Sequence, residues 1–120
     1  MIKQPLLFKF ALVLGLIVVS YFVFSRPQYP QNIPGMDKVG HVGSFFMLSW
    51  LAYLAFMPRW YWLVFNAALY GALIEIIQLQ LPYRSGDIQD FIADMCGVLL
   101  FYVLLVLCRL VHRQWKRKNR

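Results

Sequence analysis

His41, Glu75, Asp90 and Asp94 are the side chains of this 120-residue chain whose types and spacing suit acid–base chemistry, with Asp37 and Arg84 in supporting positions. Asp37 and His41 are four apart, which sets a carboxylate and an imidazole on one face of a helix, and Ser44 continues the stripe. Glu75 and Gln78 are three apart, and Asp87, Asp90 and Asp94 follow an i, i+3, i+7 pattern that shares one helix face. An imidazole oriented by Asp37 or Glu75 could serve as a general base, while Arg84 could receive a phosphate or a developing oxyanion. The same constellation could instead hold a proton or cation between Asp37, His41, Glu75 and Asp94. Mixed carboxylate and imidazole ligands would suit zinc, manganese or iron. The chain has no Glu-x-x-His or His-Glu-x-x-His motif, so the spacing identifies neither a metal nor a cofactor. Structural roles compete with these chemical ones. Asp37 and Asp87 read equally well as N-caps, and Asp90 would then sit in the first turn, where a carboxylate favours the helix dipole.

Four apolar blocks must position these residues: about 6–24, 38–57, 60–81 and 88–108, followed by a basic tail over 109–120. Each block is close to the roughly 20 residues that a helix needs to cross a bilayer core. The expected fold is therefore all-α, a single domain over 1–120 built as a four-helix transmembrane bundle. Pro58 and Pro82 stop the second and third blocks, and the tight connection at Pro58 and Arg59 implies that those two helices pack antiparallel. The first block also resembles a signal peptide, with Lys3 ahead of a long apolar run. The sequence after it, Tyr21-Phe22-Val23-Phe24-Ser25-Arg26, lacks a small-residue cleavage site, so a retained anchor is the better reading. Gly71, Ala93 and Gly97 mark close helix packing. Cys96 and Cys108 lie roughly 18 Å apart along a helix, too far for a disulfide, and read as inert buried thiols.

Charge sets the orientation. Apolar residues make up 61% of the chain and charged ones 14%, a balance suited to lipid and not to water. The net charge of +7 could suggest nucleic acid, but six of the twelve basic residues fall in the tail directly after an apolar block, and no nucleic-acid motif accompanies them. With both termini cytoplasmic, nine basic residues lie inside and three, Arg26, Lys38 and Arg84, lie outside. Trp60, Tyr61 and Trp62 then fall in the inner interfacial belt. All five acidic residues gather at the outer ends of the second, third and fourth helices. Solubility does not explain such clustering, and intramembrane ionisable groups point by default to function. Three polar stripes at one depth would face each other around an outward-opening polar pocket.

Four linked elements resemble the VanZ-like family of bacterial membrane proteins. They are Asp37-Lys38-Val39-Gly40-His41 followed by Phe45, then Glu75-Ile76-Ile77-Gln78, then Arg84-Ser85, then Asp90-Phe91-Ile92-Ala93-Asp94-Met95-Cys96-Gly97. The resemblance covers about 37–97 in the family's order. It departs at Asp94, where the family often has Asn. The resemblance implies a bacterial cytoplasmic (inner) membrane protein of the cell envelope, in a family named for a link to teicoplanin-type glycopeptide resistance, and it names no reaction. Taken with the clustering, it assigns catalytic roles to His41, Glu75, Asp90 and Asp94, and ligand-binding roles to Asp37, Lys38, Gln78, Arg84 and Ser85. The expected partners are the lipid bilayer and a lipid-linked or cell-wall ligand. A transporter would need a homo-oligomer, since four helices leave little room for alternating access.

Overall fold

The computed structural model describes residues 3–24, 36–82 and 88–119, with side chains over 6–24, 38–82 and 88–119. It contains α1 (Lys3–Phe24), α2 (Met36–Phe56), α3 (Trp60–Gln78) and α4 (Ile88–Lys118). All four are long and apolar enough to cross a membrane, and no strand occurs among the described residues. Expectations about Arg84, Ser85, Asp87 and the side chain of Asp37 fall outside the described residues.

Three C-terminal boundaries differ from the apolar blocks, each for a local reason. α2 ends at Phe56, ahead of Met57, whose backbone is left-handed (φ 47°) and whose N–H donates to the Tyr53 carbonyl at 2.8 Å. A left-handed residue after the last turn is a common helix stop, here carried by a residue with a Cβ and reinforced by Pro58. α3 ends at Gln78 rather than Leu81, because the Gln80 and Leu81 N–H groups fold back onto the carbonyls of Ile77 and Gln78 in tight three-residue turns ahead of Pro82. α4 continues ten residues beyond the expected span, to Lys118. From Val98 onward the chain has no Gly or Pro to stop it, and Lys116, Arg117 and Lys118 complement the negative end of the helix dipole.

α2 and α4 form the central pair; α1 packs on α2, and α3 packs on α4. α2 and α3 are antiparallel by their short connection but share only a small interface, so the tight hairpin does not make them principal partners. Phe45, Leu63, Ile74 and Val98 form the core where these helices meet. Gly97 lets α4 close on α2: a Cβ there would collide with the Val42 carbonyl oxygen and lie 3.0 Å from the Phe46 backbone nitrogen. Gly15 leaves room on α1 for the Leu48 side chain, which would lie 3.2 Å from a Cβ there. Apolar side chains such as Phe10, Leu69 and Leu99 face outward, as a bundle solvated by hydrocarbon requires. Cys96 and Cys108 also lie on the exposed surface, contrary to the buried placement expected of them. The inward stripe of α4 is occupied by Asp90, Ala93, Asp94, Gly97, Val98 and Phe101, which leaves both thiols on the outer arc.

The ends of α1 and α3 and the starts of α2 and α4 lie at one end of the bundle, the polar end, and the starts of α1 and α3 with the ends of α2 and α4 lie at the other, the basic end. Trp60, Tyr61 and Trp62 are exposed at the start of α3, at the basic end, where an interfacial belt belongs.

Candidate functional site

The α2–α4 contact brings the polar stripes together. His41 is on the first turns of α2, and Asp90 and Asp94 are on the first two turns of α4; the two helices run parallel from the polar end. His41, Asp90 and Asp94 are 7%, 5% and 0% exposed. The imidazole Nδ1 lies 2.5 Å from Asp94 Oδ1. With Asp94 ionised, the carboxylate accepts and Nδ1–H donates, which leaves the Nε2 lone pair directed away from Asp94. On that side Asp90 Oδ2 is 3.8 Å from Nε2, beyond hydrogen-bond reach. Asp90 Oδ1 is taken by the Lys38 ammonium at 2.5 Å. The carboxylate that could have favoured the α4 dipole is thus turned onto α2, with one oxygen bonded to Lys38 and the other on the side of the His41 ring.

Glu75 reaches the same place from α3. One donor atom from each of His41, Glu75 and Asp90 lies within 4.8 Å of the other two. This trio differs from the expected set of Asp37, His41, Glu75 and Asp94: Asp90 takes a place in the trio, while the observed contact of Asp94 is with Nδ1 on the other side of the ring. Helix spacing put both aspartates on one face but did not show which oxygen meets which nitrogen. Gly71 makes room for this arrangement on α3, since a Cβ there would come within 3.0 Å of Asp94 Oδ2. That oxygen is buried and has no hydrogen-bond partner among the described residues.

Gln78 sits one turn from Glu75 and is 1% exposed. Its amide donates to the Val23 carbonyl at 2.7 Å, satisfying one of the carbonyls that the end of α1 leaves without an intrahelical partner. The spacing that paired Gln78 with Glu75 gave no sign of this link to α1. Sequence reasoning also passed over Tyr70, whose hydroxyl lies 2.7 Å from Ser20 Oγ and whose ring stacks on Phe45 at 5.6 Å. A serine near the end of an otherwise apolar helix was the available signal. A cavity of about 480 Å³ lies toward the basic end among α1, α2 and α3, lined mostly by apolar side chains such as Leu16, Leu48 and Ala67. It is separate from the His41 cluster, whose side chains pack against one another.

The arrangement can take up a proton or a cation at Nε2 while Asp94 balances charge on the far side of the ring. Lys38, 30% exposed at its side chain, joins the cluster to the surface of the polar end. No curated protein and no solved structure matches the chain. The VanZ/LLP1 family model matches residues 3–109, a stretch that takes in α1, α2 and α3 whole, α4 as far as Arg109, and every described residue of the His41 cluster. The chain is therefore a membrane protein that belongs to the VanZ/LLP1 family.

Proposed function

We propose that this protein works in the bacterial cytoplasmic membrane as a cell-envelope factor. In this reading both termini are cytoplasmic, and the His41 cluster activates a water or hydroxyl for chemistry on a lipid-linked or cell-wall ligand. The carrying observation is the 2.5 Å contact between His41 Nδ1 and Asp94 Oδ1, which orients the ring with Nε2 on the side of Asp90. A buried carboxylate behind an imidazole fixes its tautomer and supports positive charge at its other nitrogen. Glu75 and Asp90 flank the place where a reacting proton is taken up. Arg84 and Ser85, next in sequence to the polar end of α3, and Asp37 at the start of α2 would bind the ligand. Lys38 supplies a cation to an otherwise anionic site, and Gln78 braces α1 against α3. Altered susceptibility to teicoplanin-type and other wall-active antibiotics is the expected cellular consequence.

The test is to express the protein in a sensitive bacterial host and compare wild type with Glu75→Gln and His41→Ala at matched membrane abundance. Wild type should change susceptibility to wall-active antibiotics, and both variants should lose at least about 90% of that effect, since removing an acid–base group costs about 10²–10⁴-fold in rate. An effect retained by both variants would reduce the cluster to architecture and overturn the reading.

A further inference from the structure

We propose that His41, Glu75 and Asp90 form a divalent-cation site, with Asp94 as the positioning residue that aims the His41 ring. The proposal deepens the reading above: it rests on Nε2 being the working pole and names what activates water there.

Three observations converge on a cation. The first is donor geometry. Ligands about 2.0–2.2 Å from a zinc-like ion stand about 3.3–3.6 Å from each other in a tetrahedral shell. Nε2 and Asp90 Oδ2 are 3.8 Å apart, and the trio as a whole lies within 4.8 Å, so closure onto an ion needs only small side-chain adjustments. The second is the Asp94–His41 contact. A ligating imidazole characteristically donates its other N–H to a carboxylate, which fixes the ring and raises its basicity, and the 2.5 Å Nδ1–Oδ1 contact has that form. Asp94 is 0% exposed, and a carboxylate this deep needs a function to keep it there.

The third observation is charge. Among the ionisable side chains that the sequence reading assigns to the polar end there are five carboxylates and three cations, Arg26, Lys38 and Arg84, a formal balance of −2 with His41 neutral. One divalent ion neutralises it. The ligand set of one imidazole and two carboxylates suits zinc, manganese or iron, and a water bound to such an ion loses its proton at a pH near about 7 in the zinc case. Lys38 tempers the site: by holding Asp90 Oδ1 at 2.5 Å it keeps a positive charge beside the cation and leaves Oδ2 to ligate.

The experiment is titration of the purified full-length protein, in detergent or lipid nanodiscs, with Co²⁺ as a spectroscopic probe. Zn²⁺ displacement and a metal-to-protein ratio by elemental analysis complete the measurement. Wild type should bind one equivalent with saturable visible absorption that Zn²⁺ removes. His41→Ala should lose that absorption. Asp94→Asn keeps an oxygen to accept Nδ1–H and so retains the fold, but its Co²⁺ affinity should fall about 10–100-fold. Lys38→Met should bind more tightly than wild type. Absence of saturable absorption in folded wild type, or an unchanged spectrum in His41→Ala and Glu75→Gln, would overturn the metal site. The two readings fail separately. Loss of antibiotic protection in the variants without any Co²⁺ binding removes the metal and leaves the envelope function. Co²⁺ binding together with protection that ignores the variants keeps the metal and removes the function.

Discussion

The His41–Asp94 contact has an energetic consequence that is independent of any ligand. Asp94 is wholly buried, and its only hydrogen bond among the described residues is to the imidazole. Truncating one partner of such a pair leaves the other buried and uncompensated, a loss of about 3–5 kcal/mol. Neutralising both removes the same contact without stranding a charge. His41→Ala should therefore destabilise the protein more than the double variant His41→Ala/Asp94→Asn, with a coupling of about 1–3 kcal/mol. Thermal unfolding in detergent across the full mutant cycle measures it. Equal losses from the single and double variants would mean that Asp94 draws its support from elsewhere. The result also bears on the susceptibility assay, where it requires that His41→Ala be compared at matched abundance and that Glu75→Gln carry equal weight.

At the scale of elements, the α2–α4 contact decides whether those two residues meet. Gly97 is the closest point of that contact, and the atoms a Cβ would strike are the Val42 carbonyl oxygen, the Phe46 backbone nitrogen at 3.0 Å and Phe45 Cβ at 3.1 Å. Two of these belong to the α2 backbone and can yield only if the helices part. Gly97→Ala should cost about 1–3 kcal/mol and weaken whatever the His41 cluster does. Gly43, on the same helix as His41, has nothing within 4 Å of its Cβ position, so Gly43→Ala should be neutral or stabilise by about 0.5–1 kcal/mol. Parallel thermal melts compare them. Opposite signs tie the effect to helix approach; equal effects would point to glycine itself.

These two glycines also show what sequence reading can reach. Gly97 was legible as a packing residue because small residues mark close approach between membrane helices, and the four spans were legible from their apolar length. The convergence of His41, Asp90 and Asp94 followed from helical spacing plus the expectation that buried polar stripes face each other. The division of labour within the cluster was not legible, because it depends on the rotation of α4 about its axis and on which oxygen of each aspartate faces the ring. The link from Gln78 to Val23 joins residues 55 apart on helices whose apolar composition carries no register. The extension of α4 could be read only by weighing helix propensity against the end of the apolar block, since a half-basic segment begins at Arg109.

At the scale of the whole molecule, α4 decides how the protein sits in its membrane. Its 31 residues span about 46 Å, against a hydrocarbon core of about 30 Å, so roughly ten residues must project beyond the core at the basic end. The last tie to the bundle is at Arg109, whose guanidinium donates to the Tyr53 hydroxyl and lies over that ring. Beyond it the helix is exposed. The proposed orientation rests on nine basic residues at this end against three at the other. Neutralising Arg113, Lys116, Arg117, Lys118 and Arg120 would cut that to four against three while leaving Arg109 and the bundle untouched. In wild type, a green fluorescent reporter at either terminus should fluoresce, and alkaline phosphatase at either terminus should be inactive, as cytoplasmic ends require. In the neutralised variant a fraction of both reporters should reverse, because orientation follows the difference in basic residues near the spans. A single retained orientation would assign the topology to the remaining charges and the apolar spans, and would leave the projecting helix free for another role at the anionic inner leaflet.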